Sequence, residues 1–237
     1  MNPLISINIS CWNRAVMLKE CIQSFIDQTF KDWELILIDD GSSEDLSFVK
    51  NMDNRIRYYK QVHAGMAAQL NVAAKVSVGK YLLPFGSDDL TLPDLLQKTL
   101  DALESNPDYD MVYPDCWVMR KDGSKVRNKH PEYADPKIAY QKMLEKQYIS
   151  HGGSLWRKEK MPAYDETVWS AEDWEFFLQA LENRCKFLHL PERLWIYRTG
   201  DWQREAGSKR QNEGSQKVLS RRGYYFDAKT RKGIKCN

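Results

Sequence analysis

The stretch Trp33-Glu34-Leu35-Ile36-Leu37-Ile38-Asp39-Asp40-Gly41-Ser42-Ser43 runs from an apolar strand into an acidic turn. Its apolar run has the length of one β-strand, and Asp-Gly-Ser sequences favour turns. A second stretch, Tyr81-Leu82-Leu83-Pro84-Phe85-Gly86-Ser87-Asp88-Asp89, repeats the arrangement about fifty residues later. Because Asp is rarely buried without a partner or a metal, two acidic pairs at strand ends predict a site for a metal ion and for the polyol or phosphate groups it holds.

Strands and helices alternate in the first half of the chain. The expected strands are residues 4–9, 33–38, 56–59 and 81–85, and the helices between and after them include residues 66–75 and 93–104. This alternation predicts right-handed βαβ units and a largely parallel sheet. Ligands of such sheets bind beyond the carboxyl ends of the strands, so the topology should gather residues 10–14 and both acidic pairs into one crevice.

The pattern changes after residue 110. Short strands are expected at residues 111–113, 117–120 and 154–157, with a hairpin turn at Asp122-Gly123. Helices are expected at about residues 136–146 and 172–184, and residues 187–190 and 194–197 make a last extended pair. In the later helix, Trp174, Phe177, Leu178 and Leu181 form one apolar stripe, which predicts that it packs on the core.

Composition excludes several classes of protein. With 42% apolar and 29% charged residues, 237 residues suffice for one sizeable globular domain and do not resemble a disordered or fibrous chain. Five scattered cysteines without a CxxC spacing argue against a disulfide framework or a structural zinc site, and favour a cytoplasmic protein. Neither a signal-peptide pattern nor an apolar run long enough to span a membrane is visible.

The basic charge is concentrated near the C-terminal end. From Arg204 to Asn237 ten basic residues face three acidic ones, so this segment carries +7 while the whole chain carries +2. A solvated basic tail over residues 204–237 is the simplest interpretation. Contact with nucleic acid or with an anionic membrane surface is the alternative, which leaves a cytoplasmic protein with peripheral membrane contact open.

Six motifs occur in order over residues 4–200. They are Ser10-Cys11-Trp12-Asn13-Arg14; Gln28-Thr29-Phe30-Lys31-Asp32-Trp33-Glu34 leading into Asp39-Asp40-Gly41-Ser42; an alanine-rich segment from Gly65 to Asn71 followed by Gly79-Lys80-Tyr81; Phe85-Gly86-Ser87-Asp88-Asp89; Glu172-Asp173-Trp174; and Tyr197-Arg198-Thr199-Gly200. Each motif alone is weak. In this order and at this spacing they resemble the family 2 glycosyltransferases, which are nucleotide-sugar dependent and inverting and have the GT-A fold.

The resemblance implies a Rossmann-like, mostly parallel α/β sheet flanked by helices, with a smaller mixed subregion on the acceptor side. It implies a single domain over residues 1–203, with a nucleotide-sugar-binding half (1–114) and an acceptor-binding half (115–203). The implied reaction transfers a sugar from a nucleotide-diphosphate donor, first of all a UDP-sugar, to a hydroxyl group. The implied acceptor is a glycan or a lipid-linked molecule in glycan or polysaccharide synthesis.

The resemblance also assigns roles to residues. Those assigned to nucleotide-sugar binding are Ser10, Trp12, Asn13, Asp40 and Asp88. Asp40 would accept a hydrogen bond from a ring N–H of the base, although a turn-capping Asp is the alternative. Asp88 and Asp89 would hold Mn²⁺ or Mg²⁺, which prefer oxygen ligands. Which of the two contacts the metal stays open, as does a helix-capping role. Trp12 could equally be a core residue.

Asp173 is implied as the catalytic base, since inverting transfer needs a carboxylate beside the acceptor hydroxyl. The alternative is a capping box formed by Ser170-Ala171-Glu172-Asp173. Glu172 and His151 are expected to support the acceptor side. His151 lies in a glycine-containing loop that could approach the phosphates, and a hydrogen-bonded loop histidine is the alternative.

One position departs from the family pattern. Many members carry Asp where this chain has Gly86, so metal affinity and the identity of the ligands are the least secure expectations. The departure keeps a second function open, a nucleotide-sugar-binding protein without turnover. The basic tail keeps a third open, a glycosyltransferase that acts on modified DNA.

Overall fold

The structure is a computed structural model that describes residues 2–200 and 209–236. Its strands are β1 (Ile5–Cys11), β2 (Trp33–Asp39), β3 (Ile56–Lys60), β4 (Tyr81–Gly86), β5 (Leu90–Thr91), β6 (Met111–Met119), β7 (Lys125–Asn128), β8 (Leu155–Arg157), β9 (Phe187–Arg198), β10 (Tyr224–Asp227) and β11 (Lys232–Lys235). Its α-helices are α1 (Ala15–Ile26), α2 (Met66–Val76), α3 (Leu95–Glu104), α4 (Pro136–Glu145), α5 (Glu172–Glu182) and α6 (Lys209–Ser220).

One curled sheet of nine strands carries the fold, in the order β3-β2-β1-β4-β8-β6-β9-β5, with β7 paired to β6. Strands β3, β2, β1 and β4 run parallel to one another, as predicted. The chain moves from β1 outward to β2 and β3 and then returns to β4 on the other side of β1. The order of the strands therefore reverses at β1, where open α/β sheets bind their ligands.

The apolar pattern of the first strands explains their central position. All seven residues of β2 are buried, and Ile5, Ile7 and Ile9 of β1 have no exposed surface. Near-continuous burial is typical of parallel strands covered by helices on both faces. Helix α1 buries a stripe with the i, i+3, i+4, i+7 spacing of Leu18, Cys21, Ile22 and Phe25. The buried residues of β1, β2 and α1 therefore hold in place the sheet at whose edge the acidic pairs lie.

The second half of the sheet is mixed, as expected. Strand β6 pairs antiparallel with β7 and β8 and parallel with β9. The last two extended segments are a single strand, Phe187–Arg198, which corrects the predicted pair. Its pairing with β6 shifts register on either side of Asp115. A bulge lets an extended strand continue past such a shift. The division of the domain at residues 114 and 115 stays a prediction.

The C-terminal segment also differs from the expected solvated tail. Residues 209–236 fold into α6 and the two-stranded β10–β11 hairpin. Val218 and Leu219 are fully buried, and Arg222 forms ion pairs with Glu175 and Glu182 of α5. Apolar burial and charge pairing therefore attach this segment to α5. Residues 204–208 of the predicted tail lie outside the described residues.

Within residues 2–200 and 209–236, no helix has both the length and the hydrophobicity needed to cross a bilayer.

Candidate active site

Strand register brings three loops to one edge of the sheet. Ser10 of β1 pairs with Ile38 of β2 on one side and with Gly86 of β4 on the other. The loops that follow Cys11, Asp39 and Gly86 therefore begin at the same level. The three loops therefore lie at one edge of the sheet, as the topology predicts.

Asp39 organises the turn that follows β2. Its Oδ1 accepts the backbone N–H of Ser42 at 2.8 Å, and its Oδ2 accepts the hydroxyl of Tyr58 at 2.6 Å. Burial by itself would raise the pKa of Asp39, but these hydrogen bonds and the nearby Lys60 cation hold it below its ordinary value. The turn-capping role that was the alternative for Asp40 belongs to Asp39.

Asp40 holds a different loop, residues 61–65. Its Oδ1 accepts the N–H of Ala64 at 2.8 Å and its Oδ2 accepts the N–H of Gly65 at 3.1 Å. The ring of His63 lies against the same carboxylate, with Nδ1 2.7 Å from Oδ2. Asp40 is almost fully buried, so it joins the β2 loop to the entrance of α2 at the floor of the crevice.

Trp12 is a surface residue rather than a core residue. Its side chain is 53% exposed, and its ring lies 5.0 Å from the His63 ring, centroid to centroid, at 34°. Because His63 contacts Asp40, this aromatic pair borders the predicted base-binding carboxylate. Large exposed aromatic rings of this kind offer a flat surface on which a base can stack.

Asn13 ties the first loop to the second. It has a positive φ of 50°, a conformation that Asn tolerates better than most residues. Its side-chain oxygen accepts the backbone N–H of Ser43 at 2.8 Å, and its own N–H donates to Ser42 Oγ at 3.0 Å. Ser10, at the end of β1, is half-buried beside these residues. Asn13 is therefore a loop clamp in this structure.

Asp88 and Asp89 each have one carboxylate oxygen paired with an arginine. Asp88 Oδ2 accepts from Arg14 Nη1 at 2.9 Å, and Asp89 Oδ1 accepts the backbone N–H of Arg198 at 2.8 Å. The Arg198 side chain also donates to the Asp88 carbonyl and to Glu20. Helix α3 begins at Leu95 without a side-chain cap, so neither Asp caps that helix.

The second oxygens of these two carboxylates converge on Gly86. A Cβ on Gly86 would lie 3.0 Å from Asp88 Oδ1 and 3.1 Å from Asp89 Oδ2. The position is therefore filled by the two carboxylates, and an Asp side chain there would require them to move. The missing family Asp thus leaves no empty ligand position behind.

The chemistry of this acidic pair fits a divalent cation. Burial raises the pKa of Asp89 well above its ordinary value, and the negative charge of Asp88 raises it further. A cation beside two such carboxylates relieves that repulsion, and oxygen ligands suit Mn²⁺ and Mg²⁺. In the described part of the chain, no three His, Cys, Asp or Glu side chains form a metal-binding group. The remaining ligands would have to come from substrate or water.

Asp173 lies half-buried in the first turn of α5. Its Oδ2 accepts a hydrogen bond of 2.6 Å from Gln147 Nε2, and its Oδ1 accepts the N–H of Trp174 at 2.9 Å. The N-cap is Ala171, with φ of 69° and no side-chain cap hydrogen bond. The capping-box alternative is therefore absent. Its neighbour Glu172 is buried.

His151 is enclosed by aromatic residues rather than facing a phosphate. Its ring lies 5.2 and 5.7 Å from those of Phe176 and Phe177, and its Nε2 contacts the Tyr164 hydroxyl. Burial lowers the pKa of His151 to about 4, although the Asp173 carboxylate opposes that shift. The neutral ring belongs to the packing beneath α5, as the alternative of a hydrogen-bonded loop histidine predicts.

Several residues of the crevice carried no sequence signal of their own. His63 and Gln147 lie in loops between predicted elements, and only the tertiary structure shows that they contact Asp40 and Asp173. Trp169 also carried no sequence signal. Its ring lies so close to Gly65 that a Cβ on this glycine would be 3.4 Å from it. That contact places the segment before α5 against the Asp40 loop. The six-motif order could have suggested Arg14 and Arg198, since both belong to motifs.

A model of the family described as Glycosyl transferase family 2 matches residues 6–164. The chain belongs to this family. It is therefore a glycosyltransferase, an enzyme of the transferase class, and the resemblance seen in the sequence is confirmed.

The curated relatives of this glycosyltransferase include both uncharacterized proteins and synthases. An uncharacterized glycosyltransferase of Methanocaldococcus jannaschii is 28% identical over 83% of this chain and 71% of that protein. The hyaluronan synthase of Pasteurella multocida is 27% identical over 79% of this chain, and the chondroitin synthase of Escherichia coli is 25% identical over 76%. The chain spans only 20% and 27% of these two synthases.

Solved structures confirm the GT-A fold of this glycosyltransferase. TarS of S. aureus in complex with UDP-GlcNAc superposes with a TM-score of 0.71 at 18% identity, over 91% of this chain and 65% of that one. The mannosyltransferase PcManGT of Pyrobaculum calidifontis, in complex with GDP-Man and Mn²⁺, gives 0.67 at 14% identity, over 94% and 64%. At these identities the likeness establishes the fold and not the substrate.

Proposed function

We propose that this glycosyltransferase is inverting and metal-assisted, and that it transfers a sugar from a UDP-sugar to an acceptor hydroxyl in glycan or polysaccharide synthesis. The observation that carries the proposal is the register of β1, which sets the Trp12, Asp40 and Asp88-Asp89 loops side by side. The UDP-GlcNAc complex of TarS and the names of the two synthases support the donor and the product class.

Binding of the donor divides among the three loops. Trp12 and His63 would stack on the base, and Asp40 would accept a hydrogen bond from it by exchanging one of its present donors. Asp88 and Asp89 would hold Mn²⁺ or Mg²⁺ together with the diphosphate, and the ion would neutralise charge on the leaving group. Asn13 and Arg14 would fix the loop between these two subsites.

Asp173 would act as the base. Its carboxylate takes the proton of the acceptor hydroxyl while that oxygen attacks the anomeric carbon. The bond from this carbon to the diphosphate oxygen breaks, the configuration inverts, and the nucleoside diphosphate leaves. Trp169, which is four residues before Asp173 in the sequence, lies against Gly65. The start of α5 therefore adjoins the nucleotide loop, which supports this assignment. Gln147 would orient the carboxylate.

The proposal is tested by incubating the purified chain with UDP-, GDP- and dTDP-sugars, with Mn²⁺, Mg²⁺ or EDTA, and measuring nucleoside diphosphate release. We expect metal-dependent release from UDP-sugars, and Asp89→Asn should weaken binding of UDP only when metal is present. Equal UDP affinity of the variant and the wild type in Mn²⁺ would remove Asp89 from the metal site.

Product configuration is the second readout. With an acceptor panel of mono- and oligosaccharides, NMR should show the opposite anomeric configuration from that of the donor. Retention of configuration would overturn the inverting mechanism. Tight binding of UDP-sugars without hydrolysis or transfer would instead favour a nucleotide-sugar-binding protein that has lost turnover.

A further inference from the structure

The C-terminal hairpin has two chemically different faces. Tyr225 of β10 pairs with Ile234 of β11, and Phe226 pairs with Gly233. Successive side chains of a strand point to opposite sides. The Phe226 face packs inward, with its ring 6.1 Å from that of Trp174. Gly233 approaches the core so closely that a Cβ would lie 2.0 Å from the Leu144 carbonyl oxygen. The Tyr225 face therefore points away from the core.

The outward face exposes an aromatic and an aliphatic side chain together. Tyr225 is 45% exposed and Ile234 is 38% exposed. Directly opposite residues of an antiparallel pair are in side-chain contact range, so the two form one small apolar patch. A two-stranded hairpin gains nothing in its own folding from leaving both in water.

Three cations adjoin this patch: Lys232, on the same face of β11 as Ile234, and Lys229 and Arg231 in the turn. All three are exposed, and within the described residues none of their side chains makes an ion pair. Their neighbours behave differently, because Arg221 and Arg222 are paired with Asp165, Glu175 and Glu182. The hairpin therefore carries exposed basic side chains without an acidic partner among the described residues.

Local folding does not explain the arginine of the turn. Arg231 has a φ of 55°, a left-handed conformation that Gly or Asn adopts at lower cost. Asp227 already closes the turn by accepting the N–H of Lys229 and the hydroxyl of Thr230. These hydrogen bonds close the turn without the guanidinium group of Arg231. A contact with an anionic partner would explain the cation at this position.

We propose that this hairpin face docks on an anionic membrane surface. The three cations would lie at the level of the lipid phosphates, and the Tyr225–Ile234 patch would enter the interface, where an aromatic ring with a polar tip is well placed. Duplex nucleic acid would satisfy the cations but would leave the aliphatic side chain of Ile234 without a matching surface. The inference goes beyond the transfer reaction and does not depend on it.

The position of the hairpin determines which side of the protein would face the membrane. Gly233 packs on Leu144, and three residues later Gln147 holds the Asp173 carboxylate. The hairpin therefore lies on the side of α4 and α5, away from the nucleotide loops of β1 and β2. Docking would bring the acceptor-side half toward the membrane.

The test is co-sedimentation of the full chain with vesicles of phosphatidylcholine alone or with phosphatidylglycerol added. We expect binding only to the anionic vesicles, and a loss of about 30-fold in affinity for K229E/K232E. The matched control is K19E/K75E, which makes the same change of net charge at two exposed lysines elsewhere and should lose much less. Y225S/I234S keeps every charge and should still bind several-fold more weakly.

Circular dichroism and thermal melting check that each variant is folded. Equal binding to neutral and anionic vesicles, no binding to either, or an equal loss in K19E/K75E would overturn the proposal. A 30-base-pair DNA duplex is the competing ligand. If the wild type binds the duplex but not anionic vesicles, and K229E/K232E loses that binding, the hairpin is a nucleic-acid contact instead.

Discussion

Asp40 is the carboxylate proposed to bind the base of the donor, and Asp173 is the carboxylate proposed to take the proton of the acceptor. Their hydrogen-bond partners differ. Asp40 accepts hydrogen bonds from backbone N–H groups of Ala64 and Gly65. Asp173 accepts one backbone N–H, that of Trp174 in its own helix, but its contact with another segment is the side chain of Gln147. The helix that carries it is paired with Arg222 of the C-terminal segment. Backbone donors survive substitution and side-chain donors do not. The acceptor-side half should therefore be the more easily disrupted.

The largest expected effect is on turnover, and it tests the role of Asp173. Asp173→Asn removes the proton acceptor but keeps the size of the side chain, so kcat should fall by about 10²–10⁴-fold. UDP affinity, measured by calorimetry, should stay within about twofold, because the base does not contact the nucleotide. The control is Asp108→Asn, an exposed carboxylate. Near wild-type turnover of Asp173→Asn would show that another group is the base.

The second prediction concerns the support of α5. Arg222 is paired with Glu175, whose side chain is only 3% exposed. Arg222→Ala would remove the closer of the two guanidinium groups paired with that buried carboxylate, leaving Arg221 Nη1 3.4 Å away, at a cost of about 2–3 kcal/mol in the free energy of unfolding. Lys142→Ala breaks an exposed pair with Glu145 and should cost less than about 1 kcal/mol. Urea unfolding measures both, and equal costs would contradict the importance of the C-terminal segment.

The third prediction uses pH. The folded pKa of His151 is lowered to about 4 from 6.5, so between pH 6.5 and pH 4 the unfolded chain binds a proton that the folded chain does not. Stability should therefore fall with falling pH through this window, by up to about 3 kcal/mol. In His151→Gln this part of the decline should disappear. Chemical denaturation at pH 7, 5.5 and 4.5 measures it, and parallel curves for the two proteins would refute the buried neutral histidine.

The smallest effect belongs to the nucleotide-binding half. Trp12→Ala removes a side chain that is 53% exposed, so the melting temperature should hardly change. Loss of stacking should weaken UDP binding by roughly 5–10-fold, about 1 kcal/mol. His63→Ala should also weaken UDP binding, because His63 is proposed to stack on the base beside Trp12. Wild-type UDP affinity in Trp12→Ala would place the base elsewhere in the crevice.

Sequence predicted the first half of the chain well because its signals are local. The apolar run of β2 and the i, i+3, i+4, i+7 stripe of α1 report burial directly, and the rule for parallel sheets then placed the acidic pairs at one edge. The same reasoning failed for residues 209–236. Val218 and Leu219 are buried and Gly233 abuts Leu144, but a short segment dominated by Lys and Arg gives only a weak periodic signal.

The sequence by itself determined the alternation of strands and helices in the first half of the chain, its largely parallel sheet and the family, and it proposed residues to hold a nucleotide sugar. Only the tertiary structure decided which partners those residues have. It made Asp39 the turn residue and Asp40 the loop anchor, and it enclosed His151 under α5. It also filled the space at Gly86 with the oxygens of Asp88 and Asp89. A periodic apolar pattern shows which residues of an element face the core. A hydrogen bond between residues far apart in the chain forms only once the folded backbone brings donor and acceptor together.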